Sequence, residues 1–266
     1  MRTIETREGV EIPLLGLGTS GIPTNQEGVD AVRNAIEIGY SHIDTAEVYG
    51  NNETEKMIGK AVRKYPREDL FITTKVSGDH LRYEEVHRAI KGSLDRLKTD
   101  YVDLYLIHWP DASVPIQETM RAMVELADSD KARSIGVSNF SVNQLKGAER
   151  YSEDHEVVAN QVHYSLNEQD PRSDLLPYCQ RRGLVLISYT PLEQGKLASP
   201  GFDILDEMSE KYGKTQAQIS LNWLIRQENV VAIPESSNSE HQRENLGALG
   251  WDLSDDDADR LRESLS

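Results

Sequence analysis

The feature that most constrains this chain is an alternation. Eight short apolar runs, at 14–17, 41–44, 71–75, 102–108, 134–137, 157–161, 184–189 and 230–233, are separated by stretches whose apolar residues recur at helical spacing. Val29, Val32, Ala35 and Ile36 mark one such stretch, and Val86, Ala89, Ile90, Leu94 and Leu97 mark another. Strict alternation of strand and helix means parallel β structure. Eight such units in 266 residues fit a closed barrel better than an open doubly wound sheet. The expected fold is α/β, a (β/α)₈ TIM barrel spanning 1–266 as a single domain. Segments 3–6 and 11–13 predict a small hairpin ahead of the first barrel strand, placed to plug the bottom of the barrel. Segments 239–246 and 254–265 predict two further helices, the last opened by Ser254 as N-cap with acidic residues in its first turn. The stretch 249–266 is expected either beneath the barrel or at its mouth.

Composition narrows the classes of function. A chain with 38% hydrophobic and 28% charged residues has the make-up of a folded globular protein. No run approaches the roughly 18 apolar residues needed to cross a bilayer, and residues 1–5 lack the apolar region of a signal peptide, so a cytoplasmic location is expected. With 29 basic against 45 acidic residues the formal charge is −16, a surface that repels phosphate backbones and anionic lipid. Nucleic acid and membranes are therefore not expected as partners, and a monomer acting on a small molecule is. A dense carboxylate coat of this kind also suits life in high salt. The one cysteine, Cys179, leaves no internal disulfide and no paired-cysteine metal knuckle. His42, His108 and His163 do not follow a ligand spacing either, so no metal site is expected.

In a barrel of this type the active site lies at the C-terminal ends of the strands, so polar residues that close apolar runs are the first candidates. Asp44, Lys75 and His108 each close such a run, at three consecutive strands, and Tyr49 follows Asp44 closely enough to fold over the same mouth. Singly, each has a structural reading as a loop cap, a surface charge or a core histidine. Together, an acid, an ammonium, a phenol and an imidazole form a set able to transfer protons. In the carbonyl reduction implied by the family resemblance given next, hydride transfer makes an alkoxide that needs a proton and a positive environment. A tyrosine supplies the proton at neutral pH only if a neighbouring cation stabilises its phenolate, a role that falls to Lys75. Asp44 would pair with Lys75 and hold it, while His108 would donate a hydrogen bond to the carbonyl oxygen.

These residues resemble a known family, the aldo-keto reductases. The resemblance runs through Gly16-Leu17-Gly18-Thr19, Gly39-Tyr40-Ser41-His42-Ile43-Asp44-Thr45-Ala46, Thr74-Lys75, Ile107-His108-Trp109-Pro110, Ile135-Gly136-Val137-Ser138-Asn139-Phe140, Asn160-Gln161-Val162-His163-Tyr164 and Glu244-Asn245-Leu246. It covers nearly the whole chain and resembles most the diketogluconate and aldehyde reductases of prokaryotes. It implies an NAD(P)H-dependent carbonyl reductase on a (β/α)₈ barrel without metal or flavin, with the same roles for Asp44, Tyr49, Lys75 and His108.

The later strand ends then carry the cofactor expectations. Ser138, Asn139 and Gln161 offer a hydroxyl and amides to fix the nicotinamide carboxamide and so choose the ring face presented. By similarity Gly18 and Thr19 border the cofactor, Tyr189 stacks on the nicotinamide, and Thr190, Pro191 and Leu192 line the pyrophosphate path with 193–195 above it. The last strand departs from the family. Where relatives commonly carry Ile-Pro-Lys-Ser, this chain has Ile233-Pro234-Glu235-Ser236, and His241 stands where an arginine is usual, with Glu244 and Asn245 keeping the adenine-contacting pattern. A carboxylate repels a 2′-phosphate and accepts from a 2′-hydroxyl, so NADH is expected to be used well. The alternative is NADPH held by Arg243, Ser236, Ser237 and Asn238 at a helix N-terminus.

Substrate residues are expected at Ser20 and Ser77, where relatives carry tryptophans, and at Trp109. With the short segment 111–117 they suggest an open, polar mouth suited to small hydroxylated aldehydes, keto acids or diketo sugars. Two other functions compete: an aldolase using Lys75 as a Schiff base, which needs an unpaired amine, and a nucleotide-sensing barrel with negligible turnover.

Overall fold

The computed structural model describes residues 2–152 and 155–265; Met1, Glu153, Asp154 and Ser266 lie outside the described residues. An antiparallel hairpin, β1 (Thr3–Glu5) and β2 (Glu11–Pro13), precedes eight parallel strands. These are β3 (Gly16–Gly18), β4 (His42–Asp44), β5 (Phe71–Val76), β6 (Leu104–Ile107), β7 (Ile135–Ser138), β8 (Val157–His163), β9 (Val185–Tyr189) and β10 (Val230–Ala232). Between consecutive strands run α1 (Gln26–Ile38), α2 (Glu53–Val62), α3 (Tyr83–Leu97), α4 (Ile116–Asp128), α5 (Val142–Arg150), α6 (Leu175–Arg182), and the pair α7 (Asp203–Tyr212) and α8 (Gln216–Ile225). After β10 come α9 (Ser239–Leu246) and α10 (Asp255–Leu265).

Each strand pairs in parallel with the next, and the first and last meet through bridges at Leu15 with Ala232 and Gly18 with Glu235. Ala232 N donates to Leu14 O at 3.0 Å and Gly18 N to Pro234 O at 3.1 Å, which closes the barrel. Gly18 sits at that seam for a steric reason: a Cβ there would lie 2.8 Å from the carbonyl oxygen of Ile233. All eight expected strands are present, each within a few residues of its expected bounds. So are the hairpin and both terminal helices, with the Ser254 hydroxyl accepting from Asp257 N at 3.2 Å.

Two cores follow from the two-residue period of a strand. Ile43, Ile72, Tyr105, Ile107 and Val137 point outward and join the helix faces in a large shell of apolar residues. Phe71, Leu104, Leu106, Val185, Ile187 and Val231 point inward and fill the barrel, and Val158 and Ala159 join them where the β7–β8 register is irregular. Ile12 of the hairpin belongs to this inner cluster, so the hairpin does plug the barrel. The stretch 249–265 does not line the cleft, and its Asp252 lies 4.0 Å from Arg2, just ahead of the hairpin. It packs on the outer helices, where Trp223 Nε1 donates to Ala258 O and Lys211 pairs with Asp257.

The inner face also holds His42, fully buried, with Nε2 and Thr73 Oγ1 3.0 Å apart and its ring edge-on to Phe71. Burial pushes its pKa down to about 4, with Asp44 opposing and the Lys75 ammonium adding to the effect. In the unfolded chain a histidine titrates near 6.5. Between these values the unfolded state binds the extra proton, so stability present above about pH 6.5 is lost as pH falls toward 4, an effect of at most about 3 kcal/mol. Urea unfolding between pH 7 and pH 4 is expected to show this decline. His42→Leu should flatten part of it, and an unchanged slope in that variant would assign the decline elsewhere.

Candidate active site

The same alternation that fills the barrel places the candidate residues. Counting by two along β4 puts His42 and Asp44 inward, along β5 Phe71, Thr73 and Lys75, and along β6 Leu104, Leu106 and then His108. The outward Thr74 instead donates to Glu55 on α2 at 2.6 Å. Asp44, Lys75 and His108 therefore meet inside the barrel at the C-terminal ends of adjacent strands.

Lys75 is fully buried and Asp44 is 2% exposed. The Lys75 Nζ donates to Asp44 Oδ1 at 2.5 Å, to the Thr45 carbonyl at 2.8 Å and to the Tyr49 hydroxyl oxygen at 3.4 Å. Burial alone would lower the Lys75 pKa, but the Asp44 carboxylate, joined by Tyr49, more than offsets it and raises the value above the ordinary lysine range. Lys75 is thus a charged, paired ammonium and not a free amine, which removes the requirement of the Schiff-base reading. The second carboxylate oxygen of Asp44 accepts from Gln161 Nε2 at 2.7 Å. Tyr49 opens a helical turn, Tyr49–Asn52, and its ring meets His108 edge-on with centroids 5.7 Å apart. Burial lowers the His108 pKa to about 4, the Lys75 charge adds to this and Asp44 opposes it, so the imidazole is neutral at pH 7.

A cleft of about 870 Å³ opens over this group. Gly18, Thr19, Ser138, Asn139, Gln161, Tyr189, Thr190, Leu192, Glu235, Ser236, His241, Glu244 and Asn245 all line it, as do Asp44, Tyr49, His108, Ser20 and Trp109. Lys75 lies behind its wall. Ser77 is not part of the lining: its N–H donates to Glu47 Oε1 at 2.5 Å and its Oγ caps the turn at Asp79, which keeps it 7% exposed beneath the surface. Trp109 and Val48, both beside the mouth, are the large hydrophobic residues exposed among the described residues. The segments 111–117 and 249–265 contribute no residue to the lining.

The amide groups are more committed than their sequence suggested. Asn139, at φ 62°, gives both amide hydrogens to the protein, to His108 O and Ser138 Oγ, each at 3.0 Å, and its Oδ1 accepts from Tyr189 OH at 3.0 Å. Ser138 Oγ donates to Gln161 O at 2.9 Å. What remains for a ligand is acceptor capacity on Asn139 and Ser138, with one side-chain N–H and the side-chain Oε1 of Gln161. That set suits a primary carboxamide lying beside the Tyr189 ring. Pro191, Gln194, Gly195, Ala198, Ser199 and Ala217 complete the wall near Tyr189. Of these, Ala198, Ser199 and Ala217 were not read from the sequence, because small residues at helix and loop ends carry no chemical signal.

Among the described residues, no lysine or arginine lines the cleft; its charged lining is Asp44, Glu235 and Glu244. Glu235 Oε2 accepts from Ser20 Oγ at 2.8 Å and from Gly21 N at 2.7 Å, tying the loops after β10 and β3 together. No cluster of three potential metal ligands occurs among the described residues, and no helix among them is long and apolar enough to cross a membrane.

The Aldo/keto reductase family model matches residues 14–266. The chain belongs to the aldo/keto reductase family. It is 37% identical over 263 residues to a glyoxal reductase of Bacillus subtilis (strain 168), covering 97% of this chain and 91% of the relative. It is 33% identical over 260 residues to a methylglyoxal reductase of Escherichia coli (strain K12), covering 95% and 91%. The fold is similar to that of a thermostable aldo-keto reductase solved with the inhibitor epalrestat, with TM-score 0.95, 44% identity and coverage of 99% and 100%. An aldo-keto reductase from Klebsiella pneumoniae in complex with NADPH gives TM-score 0.91 at 35% identity, covering 98% and 94%. This reductase is an oxidoreductase that uses NAD(P)H on small carbonyl compounds.

The buried pair makes a strong demand on its partner. Asp44→Asn keeps the shape but leaves the ammonium inside the barrel without its counter-charge, a loss of about 3–5 kcal/mol. Urea unfolding at pH 7 should report that loss, and retention of wild-type stability would mean that Lys75 finds another counter-charge.

Proposed function

We propose that this reductase converts a small hydroxylated or sugar-derived aldehyde or ketone to the alcohol, with Tyr49 as proton donor. The observation that carries the reading is the three-part contact of the buried Lys75 ammonium with Asp44, the Thr45 carbonyl and the Tyr49 oxygen. The bound nicotinamide supplies the hydride. Tyr49 passes its proton to the carbonyl oxygen, and the charge left on the phenolate faces the ammonium 3.4 Å away. Asp44 keeps Lys75 charged and in place. His108, neutral at pH 7, donates a ring N–H that orients the carbonyl oxygen, since an imidazole with a pKa near 4 does not compete as the acid. Gln161 and Asn139 would hold the carboxamide, and Tyr189 would carry the ring.

NADH is the cofactor on this reading. A 2′-phosphate placed near Glu235 would meet a carboxylate and no lining cation, whereas a 2′-hydroxyl can donate to Glu235 Oε1 while Oε2 keeps its bonds to Ser20 and Gly21. Ser20 therefore serves the cofactor end of the cleft, and Trp109 is the residue that meets the substrate. Two relatives named for reducing glyoxal and methylglyoxal point to small dicarbonyls as the first substrates to try.

Tyr49→Phe keeps the ring and removes the proton. Turnover of methylglyoxal should fall by about 10²–10⁴-fold while NADH affinity by fluorescence titration stays at the wild-type value; retained turnover would remove Tyr49 from the chemistry. For the cofactor, kcat/KM with NADH should exceed that with NADPH, and Glu235→Lys should move the ratio toward NADPH by about tenfold or more. A wild-type enzyme that favours NADPH would refute the role given to Glu235.

A further inference from the structure

The loop after β9 holds an unusual backbone. Thr190, Glu193 and Gln194 have φ of 52°, 49° and 54°, and Gly195 follows at 92°. Three side-chain-bearing residues in the left-handed region within five positions persist only where the surroundings over-determine them. Thr190, Leu192, Gln194 and Gly195 line the cleft, but the Glu193 side chain turns the other way. Its Oε1 accepts from His163 Nε2 at 2.7 Å and from Ser165 Oγ at 2.7 Å. Ser165 Oγ accepts in turn from the backbone N–H groups of Asn167 and Glu168, at 3.1 and 3.0 Å, so it is anchored.

His163 does more than receive the loop. It is the register partner of Tyr189 across β8 and β9, and its ring lies on the Tyr189 ring with centroids 5.6 Å apart and planes 9° from parallel. One carboxylate thus fixes two parts of the cleft: the loop that forms its wall, through the backbone of Glu193, and the Tyr189 ring, through His163.

We propose that Glu193 is a positioning residue, a brace that couples the loop over the cofactor to the ring on which the nicotinamide lies. The inference rests on the reading of Tyr189 as that platform. With the brace intact, loop and ring hold one arrangement before the cofactor arrives, so binding does not have to order them. Without it, the left-handed segment relaxes, the wall loosens and the cofactor leaves faster. Glu235 plays no part in this link, so the brace acts alike on NADH and NADPH.

The test is the release rate of NADH from the full-length protein, followed by stopped-flow fluorescence after mixing with excess unlabelled NAD⁺. Glu193→Ala is expected to release NADH about tenfold faster, with KM for the carbonyl little changed, because only the cofactor's cover has loosened. Glu193→Gln, which keeps an acceptor oxygen for both donors, should restore most of the slow release. His163→Phe keeps a flat ring on Tyr189 but cannot reach the carboxylate, so it should match Glu193→Ala, and the double variant should release no faster than either single one. Single variants that keep the wild-type Tm and release NADH at the wild-type rate overturn the proposal, as do effects that multiply in the double variant. Tyr189→Ala separates the two layers of the inference. If it binds NADH as tightly as wild type, the platform reading fails and takes the brace with it. If it binds weakly while Glu193→Ala releases normally, the brace alone is overturned.

Discussion

The buried contact between Lys75 and Asp44 sets the terms for everything around it. Two full charges taken out of water cost several kcal/mol each, and their attraction repays this only with good geometry and with the remaining donors and acceptors satisfied. This barrel supplies both. The ammonium has the Thr45 carbonyl and the Tyr49 oxygen beside the carboxylate, and the free carboxylate oxygen takes a hydrogen bond from Gln161. The pair therefore reaches across the barrel, from β4 and β5 to Gln161 on β8. Burial lowers the affinity of His108 for a proton, with the Lys75 charge adding to it and Asp44 opposing, and the ammonium also faces the Tyr49 phenol oxygen. Packing a charged pair where apolar side chains would otherwise sit puts a positive charge beside the Tyr49 oxygen.

The cleft above it has an electrostatic character of its own. Many phosphate-binding sites rely on lysine or arginine, yet the lining here carries carboxylates and neutral polar groups. Glu235 is held by Ser20 and Gly21 across the barrel seam, so its position does not depend on a ligand. A fixed carboxylate discriminates by what it repels as much as by what it accepts. The net charge of −16 adds a background that disfavours the more negative of the two dinucleotides at long range, most at low ionic strength.

Much of this was legible in the sequence, for a physical reason. A strand has a period of two and a helix of 3.6, so apolar runs and their polar ends locate the barrel and the inward faces of Asp44, Lys75 and His108 without further information. Other features do not follow from periodicity. Ser77 stands one residue past β5, where the chain turns and the alternation ends, and its N–H is taken by Glu47. The link from Gln161 to Asp44 joins residues 117 positions apart, and a glutamine expected to face the cofactor spends one N–H on the protein instead. Glu193 looked like part of a loop over the cleft, while its carboxylate in fact points at His163, a histidine whose spacing suggested neither metal nor catalysis. Side-chain direction in loops depends on backbone angles such as the positive φ of Glu193, which residue types other than glycine and asparagine do not announce.

The central claim is that the buried ammonium makes the phenol a proton donor, and the most direct test is the transient phase of NADH oxidation in Lys75→Met with methylglyoxal in excess. The account predicts that this variant binds NADH with wild-type affinity and loses the fast phase by about 10²-fold or more. A fast phase that survives at the wild-type rate, in a variant shown to bind NADH normally, would contradict it.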